Sequence, residues 1–323
     1  MEKLSREKLG ILAKQNYIYI AIVLLFALYF ATQIWLFGLL IGLSIVWLVV
    51  LECWEGVDQH GMKNEIKEIA VALLLALAAY FGAGLLLQTP SPINAIVSCS
   101  MLPHIQRGDM VVLSGDRIAA PTEQVQSLAG LQNATIYQNG EPKFMVKGSL
   151  YSYCTQNANA SECRRFVASP SEFTEMHGPL LFGYSKCEII QNDGERQYGP
   201  CVEWLEVNGN RYYENLSSDV IVYQPQPDEY YARVGDIIHR AFLRLDSADG
   251  GKYVLTKGDN NPVFDIQVYD EGAQLGNRPV ELSRTKGRIL FGVPILGYFK
   301  LFISPAAIPT PPGCDRHYAK WDG

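Results

Sequence analysis

Three short blocks of this chain carry the side chains that nucleophilic catalysis needs. The segment from Ser98 to Pro103, Ser-Cys-Ser-Met-Leu-Pro, offers hydroxyl groups in a small-residue turn. The segment from Asp236 to Arg240 offers an imidazole, and the segment from Leu255 to Asp265 offers carboxylates. A serine hydroxyl is a poor nucleophile at neutral pH and needs a base that takes its proton during attack, which histidine can do because it titrates near that pH. Ser100 is therefore the candidate nucleophile, and His239 the candidate general base and acid.

In this order, the three blocks resemble those of the signal peptidases. The histidine followed by arginine is similar to the archaeal and endoplasmic-reticulum branch, because the bacterial branch has lysine where His239 stands. The resemblance implies that the backbone N–H of Ser100 and the hydroxyl of Ser98 stabilise the oxyanion of the tetrahedral intermediate. It also implies that Met101 sets the turn and packs beneath it.

Asp259 and Asp265 both match acidic positions of the archaeal pattern, and either could hold the imidazole of His239 in its productive tautomer. We favour Asp265 for this orienting bond and Asp259 for holding the Gly-Asp-Asn-Asn turn beside it. Arg240 is expected on the strand face opposite His239, because successive side chains of a strand point to opposite faces. Its expected role is structural.

Two rival chemistries remain open in the sequence. Lys257 or Lys147 could act as a lysine base, which would require burial to lower the pKa of an ammonium. Lys257 stands next to an aspartate in a turn, which favours its charged form. Cys99 could replace Ser100 as nucleophile, but its side chain should point away from that of Ser100, and a structural or incidental thiol is the expectation.

The blocks must be positioned relative to a strongly apolar N-terminal region. No charged residue occurs from Tyr17 to Leu51, too long for one membrane-spanning helix, so two spans joined at Thr32-Gln33 are expected. Lysines and arginines before the first span and between the second and third predict that both of those segments are cytoplasmic. Three crossings then place Ser100 outside, whereas a single long helix would leave it in the cytoplasm. The predicted segments are a cytoplasmic N-terminus (1–14), a hairpin of two spans (15–52), a cytoplasmic loop (53–68) and a third span (69–88).

After the third span the composition becomes typical of a β protein. Strands are expected at Ile93–Val97, Asp109–Leu113 and Asp219–Tyr223. Catalytic parts at 89–115 and 219–303 flank an insertion at 116–218, which reads as a separate small cap domain, and a flexible tail occupies 304–323. The expected fold class is α+β: N-terminal transmembrane helices, then a mainly β signal-peptidase-like catalytic domain with a large disulfide-containing insertion.

Four of the seven cysteines lie in the insertion, which indicates disulfides in an oxidising compartment. Pairing of neighbours, Cys154 with Cys163 and Cys187 with Cys201, is our prediction among the possible connectivities. Three Asn-x-Ser/Thr triplets also follow the third span.

Charge and composition exclude some classes of function. A formal net charge of −6, with no basic stripe interleaved with aromatic residues, argues against nucleic-acid binding. The five histidines are scattered without paired ligand spacing, so no metal and no other cofactor is expected.

The resemblance and the topology together predict a membrane-bound serine endopeptidase that removes signal peptides from exported pre-proteins. The expected location is the cell membrane, multi-pass, with the catalytic domain extracytoplasmic. Substrate would bind extended along the strand edge formed by Ile93, Ala95 and Val97. The expected partners are signal-peptide-bearing pre-proteins, membrane lipid and the secretion translocon. The alternatives are a non-catalytic scaffold that binds partners through the insertion, and a peptidase specialised for one class of surface proteins.

Overall fold

The computed structural model describes residues 17–28, 35–294, 296–298 and 313–320. It divides into two compact units, residues 1–83 with 298–309 and residues 84–297 with 310–323. The helices of the described residues are α1 (Tyr17–Leu28), α2 (Trp35–His60), α3 (Met62–Leu86), α4 (Leu150–Gln156) and α5 (Ser161–Ala168).

Two of these helices are long and apolar enough to cross a membrane. The segment Leu40–Asp58 of α2 has a mean hydropathy of 1.8, and α3 has a mean hydropathy of 2.4 over 25 residues. The helix α1 is apolar but shorter. The predicted N-terminus (1–14) and the turn at Thr32-Gln33 lie outside the described residues.

The predicted cytoplasmic loop at 53–68 is helical apart from a break at Gly61, and its cytoplasmic location stays a prediction. Gly61 has a φ of +80° and donates its N–H to the carbonyl of Val57 at 2.9 Å, so it ends α2 as a left-handed cap. The charged residues of this stretch are mostly glutamate and lysine, which are good helix formers. The charged residues of this stretch therefore show where the apolar segment ends, but they do not end the helix.

The strands of the described residues are, in chain order, β1 (Ile93–Ala95), β2 (Met110–Ser114), β3 (Thr122–Val125), β4 (Asn133–Gln138), β5 (Glu141–Lys147), β6 (Phe173–His177), β7 (Leu180–Gln191), β8 (Arg196–Val207), β9 (Asn210–Tyr213), β10 (Val220–Tyr223), β11 (Ile237–Ser247), β12 (Lys252–Lys257), β13 (Tyr269–Asp270), β14 (Leu275–Gly276), β15 (Val280–Glu281), β16 (Thr285–Val293) and β17 (Arg316–Lys320).

The first sheet has the order β1-β2-β16-β10-β11-β12-β15, with β3 also paired to β11. Strand β11 is long enough for two neighbours: β10 pairs antiparallel with Ile237–Arg240, and β3 pairs parallel with Arg244–Ser247. Strand β1 lies at the edge of this sheet, next to β2. A short turn of 3₁₀ helix, Asp265–Gln267, follows β12.

The second sheet has the order β5-β4-β6-β7-β8-β9, with β17 also paired to β7. It shares one hydrophobic core with the first sheet. Phe182 and Leu205 of the second sheet pack in the same cluster as Leu243 of β11 and Phe264. Fully burying one such side chain contributes about 1.5–3 kcal/mol, so this shared core binds the two sheets firmly together.

Two predictions for this region are corrected by the structure. The insertion (116–218) is not a separate cap domain, because it shares a core with the first sheet and its strand β3 belongs to that sheet. The tail (304–323) is not loose throughout, because residues 316–320 form β17. The predicted disulfides Cys154–Cys163 and Cys187–Cys201 are confirmed.

Candidate active site

The serine block forms a turn directly after β1. The N–H of Ile96 donates to the carbonyl of Asp109 at 2.9 Å, so the ladder with the second strand continues up to this turn. The hydroxyl oxygens of Ser98 and Ser100 lie 3.3 Å apart, and both residues are half-buried. Met101, the next residue in the turn, is only 1% exposed. The turn therefore combines two half-buried hydroxyls with a buried methionine.

Cys99 is not an incidental thiol, because it forms a disulfide with Cys314. A disulfide sulfur has no proton to lose and cannot act as the nucleophilic thiolate. The structure therefore leaves Ser100 as the candidate nucleophile of the turn.

His239 and Asp265 form a buried hydrogen-bonded pair. His239 lies on β11 and is 4% exposed, and Asp265 begins the 3₁₀ turn after β12 and is 1% exposed. Nδ1 of His239 lies 2.7 Å from Oδ2 of Asp265. Because a carboxylate accepts hydrogen bonds, this contact holds the proton on Nδ1 and leaves Nε2 as the basic nitrogen.

The sequence did not point to the side chains that hold Asp265 in place. Its Oδ2 also accepts the hydroxyls of Tyr223, at 2.9 Å, and Thr256, at 2.5 Å. Burial and the charge of Asp265 raise the pKa of Tyr223 well above its usual range, so its hydroxyl stays protonated and donates. The ring of Tyr231 packs edge-on against the ring of His239, 6.1 Å between centroids. Tyr223 lies on β10 and Thr256 lies on β12. In the sequence, both look like ordinary buried residues of a strand.

Asp259 occupies a different environment and makes no hydrogen bond to His239 among the described residues. Its carboxylate binds the guanidinium of Arg240 through two bonds, Nε to Oδ1 at 2.8 Å and Nη2 to Oδ2 at 2.6 Å. Nδ1 of His104 lies 3.0 Å from the same Oδ2. Arg240 also donates to two backbone carbonyls, so the pair fixes the segment around residues 216–218 against the turn after β12.

The register of β11 and β12 explains this separation. Ala241 pairs with Thr256 and Arg240 pairs with Lys257, and residues directly opposite in a ladder share one face. His239 alternates with Arg240, so it lies on the Thr256 face, where Asp265 is bound. Lys257 lies on the other face with Arg240.

The serine turn packs against the residues that follow β12. The N–H of Asn260 donates to the carbonyl of Ser100 at 2.8 Å. Gly258, which follows the last ladder pair, approaches the same carbonyl so closely that a Cβ there would lie 2.6 Å from it. If the pairing of β11 with β12 is continued by one residue beyond Arg240 and Lys257, Gly258 lies opposite His239. Among the described residues no hydrogen bond joins Ser100 Oγ to the His239 ring, and such bonds are often long before substrate binds.

The two candidate lysine bases are engaged elsewhere. Nζ of Lys257 lies 3.1 Å from Glu214 Oε1, and Nζ of Lys147 donates to Gln274 Oε1 at 3.0 Å. Neither contact is with the serine turn.

The predicted substrate strand alternates as a sheet edge should. Ile93 and Val97 are 45% and 41% exposed and Ala95 is half-buried, whereas Asn94 and Ile96 between them are buried. The buried residues of this segment make the backbone hydrogen bonds to the neighbouring strand. The N–H of Ile96 donates to the carbonyl of Asp109, and the carbonyl of Ile96 accepts the N–H of Gly108. The backbone groups of Ile93, Ala95 and Val97 therefore point to the free side of this edge strand.

Part of the chain is similar in sequence to known proteins. It is 31% identical over 98 residues to the signal peptidase complex catalytic subunit SEC11 of Saccharomyces cerevisiae strain YJM789, and equally to that of strain RM11-1a. The matched segment covers 29% of this chain and 52% of each relative, so the chain spans about half the length of the curated relatives it matches. No family model matches the chain. The similarity supports a distant relationship to the signal peptidases.

Proposed function

We propose that the protein is a membrane-bound serine endopeptidase that removes signal peptides from exported pre-proteins, by a Ser-His-Asp mechanism of the archaeal and endoplasmic-reticulum type. The observation that carries the proposal is the buried contact of 2.7 Å between His239 Nδ1 and Asp265 Oδ2. The partial similarity to a signal peptidase catalytic subunit supports the same activity.

In the proposed reaction, Ser100 Oγ attacks the carbonyl carbon of the scissile peptide and its proton moves to Nε2 of His239. The imidazolium is stabilised by the carboxylate of Asp265. The C–N bond then breaks, Nε2 gives the proton to the leaving amine, and an acyl ester remains on Ser100. A water molecule, deprotonated by the same nitrogen, hydrolyses the ester and restores the hydroxyl.

The oxyanion of the tetrahedral intermediate would be bound by the N–H of Ser100 and the hydroxyl of Ser98. The distance of 3.3 Å between the two hydroxyl oxygens supports this role for Ser98. Asp259 supports the site structurally in this proposal, by holding Arg240 and the turn that receives the serine block.

The substrate is proposed to add as a strand to the free edge of β1. Alternate side chains would then meet pockets shaped by Ile93, Ala95 and Val97. Across the adjoining strands, Ile93 pairs with Val112 and Val112 pairs with Phe291, which is 57% exposed. This apolar row is proposed to face lipid, where the apolar core of a signal peptide lies. Three membrane spans, an extracytoplasmic catalytic domain and contact with the translocon remain part of the proposal.

Cleavage of a secreted pre-protein by the purified full chain in lipid vesicles tests the function. Ser100→Ala and His239→Ala should each abolish processing, whereas Ser127→Ala, in an exposed loop, should process as the wild type does. A serine-directed acylating probe should label the wild type and not Ser100→Ala. Normal processing by either site variant would refute the mechanism, and absence of both labelling and cleavage in the wild type would favour a non-catalytic scaffold.

A further inference from the structure

The last described segment, Gly313–Lys320, contains β17, which belongs to the second sheet. We refer to it as the C-terminal clasp. It pairs antiparallel with β7, from Arg316 opposite Gln191 to Lys320 opposite Cys187. Asn192 extends the pairing, donating its backbone N–H to Asp315 O at 2.9 Å and its side-chain Nδ2 to Cys314 O at 3.1 Å. The clasp is therefore part of this second sheet, which we call the insertion sheet.

The clasp is bonded covalently to the residue before the candidate nucleophile. Cys314 forms a disulfide with Cys99, across 215 residues of sequence, and the two Cα atoms are 5.1 Å apart. Cys99 is buried in the turn, so the bond limits how far the backbone at Ser100 can move relative to β7.

Asn260 provides a second link between the clasp and the serine turn. This residue is 5% exposed, and its backbone N–H donates to Ser100 O. Its side-chain Oδ1 accepts the N–H of Tyr318 at 2.9 Å. Its Nδ2 donates to three backbone carbonyls, those of Cys99 at 3.0 Å, Gly313 at 3.2 Å and Arg316 at 3.0 Å. Asn260 therefore joins the clasp to the serine turn, through its side chain at Cys99 and through its backbone N–H at Ser100.

We infer that the clasp and Asn260 position the Ser100 turn for attack. The inference rests on the proposed function of Ser100. The ladder bonds reach Ile96, whereas residues 97–98 have no regular secondary structure, so the strand before the turn does not by itself fix the nucleophile. Catalytic groups must be held to within roughly 0.5 Å, and a displacement of about 1 Å can cost about 10²-fold in rate. The insertion sheet would thus contribute to catalysis through β7 and the clasp, without touching substrate.

Asn260→Asp removes the Nδ2 donor and turns a charged oxygen toward three carbonyl oxygens, while the backbone bond to Ser100 is kept. We expect kcat to fall about 10²-fold with KM changed by less than about threefold, because the turn is displaced but the β1 edge is not. Asn159→Asp, which introduces the same charge at an exposed position, is the matched control and should keep wild-type kcat.

The double variant Cys99→Ala/Cys314→Ala breaks the covalent link and leaves Asn260 intact. Its control is Cys154→Ala/Cys163→Ala, which removes a disulfide within the α4–α5 segment. Hydrogen–deuterium exchange of the peptide covering residues 96–105 gives a readout independent of turnover. Exchange there should quicken in the clasp variants, with β10 and β11 unchanged, and should stay as in the wild type in both controls.

Unchanged exchange of residues 96–105, or wild-type kcat in both clasp variants, would overturn the inference. An equal loss of kcat in the Cys154/Cys163 control would also overturn it, since the effect would then be one of general destabilisation. A wild-type protein that cleaves no substrate would instead refute the proposed function, and the exchange measurement would then test the clasp alone.

Discussion

Replacing Asp265 by asparagine tests the orienting role of its carboxylate. Oδ2 of Asp265 accepts from His239, Tyr223 and Thr256, whereas its Oδ1 is buried and has no hydrogen-bond partner of good geometry in the described part of the chain. If the amide oxygen of the variant takes the Oδ2 position, the new NH₂ group is buried with no acceptor. If the amide is turned around, its NH₂ group faces three donors. Either orientation weakens the hold on the His239 ring.

The size of the effect follows from the charge that develops on His239. A hydrogen bond to a charged group contributes roughly 1.5–3 kcal/mol, and its loss in the transition state alone slows the reaction by about 10- to 150-fold. A wrong tautomer of the histidine adds to this loss, up to about 10⁴-fold in a known serine peptidase. We therefore expect kcat of Asp265→Asn to fall by about 10²- to 10⁴-fold with KM little changed.

Asp259→Asn is the matched comparison, because the same chemical change then falls on the carboxylate that holds Arg240. Leaving one member of a buried ion pair unpaired costs about 3–5 kcal/mol. For a unit of this size that lowers Tm by about 6–20 °C. Its loss of kcat, measured well below the lowered Tm, should be smaller than that of Asp265→Asn.

The assay is initial-rate cleavage of a fluorescent pre-protein in detergent micelles, with Tm recorded on the same samples. If Asp259→Asn lost more turnover than Asp265→Asn while both variants remained folded, the orienting role would belong to Asp259. Wild-type kcat in Asp265→Asn would remove the carboxylate from the mechanism altogether.

Three further predictions concern the residues around this site and the core behind it. Burial alone would lower the pKa of His177, but its hydrogen bond to Glu175 at 2.9 Å and the charge of that residue raise it above 6.5. The stability that His177 gains from Glu175 is therefore full below 6.5 and is lost as pH rises through the raised value. The difference in unfolding free energy between wild type and His177→Asn, from urea titrations, should shrink above that pH, and a constant difference would contradict this. Gly258→Ala should lower kcat/KM by about 10²-fold, because the new Cβ would clash with the Ser100 carbonyl and displace the serine turn. Wild-type kinetics would show that the turn can shift without any loss of activity. Ser98→Ala should lower kcat by about 10²- to 10³-fold if its hydroxyl binds the oxyanion, and an unchanged kcat would exclude that role.

Several strands of the first sheet could be predicted from the local sequence pattern. The expected strands Ile93–Val97, Asp109–Leu113 and Asp219–Tyr223 correspond to β1, β2 and β10, because each is a short run rich in branched apolar residues. The neighbouring cysteine pairs were predictable for a similar reason, since each pair is separated by only 9 or 14 residues.

The contacts between distant parts of the chain could not be predicted from the local sequence pattern. Cys99 and Cys314 are separated by 215 residues, and nothing near either residue indicates its partner. The insertion looked like a separate domain because its turns and cysteines are a local feature, whereas the core it shares with β11 is not. Tyr223 and Thr256 were missed because a buried tyrosine or threonine in a strand usually has only a structural role.

Asp259 and Asp265 bind different side chains because successive residues of a strand point to opposite faces. His239 and Arg240 are neighbours on β11, so their side chains point to opposite faces, and each finds a carboxylate supplied by the chain after β12. A register slip of one residue between β11 and β12 would exchange the faces and present the guanidinium to the site of the imidazole. The Arg240–Asp259 pair makes that slip costly, because it would separate two buried charges. The ion pair on one face therefore fixes the register on which the His239–Asp265 contact depends, although it takes no part in the proposed proton transfer.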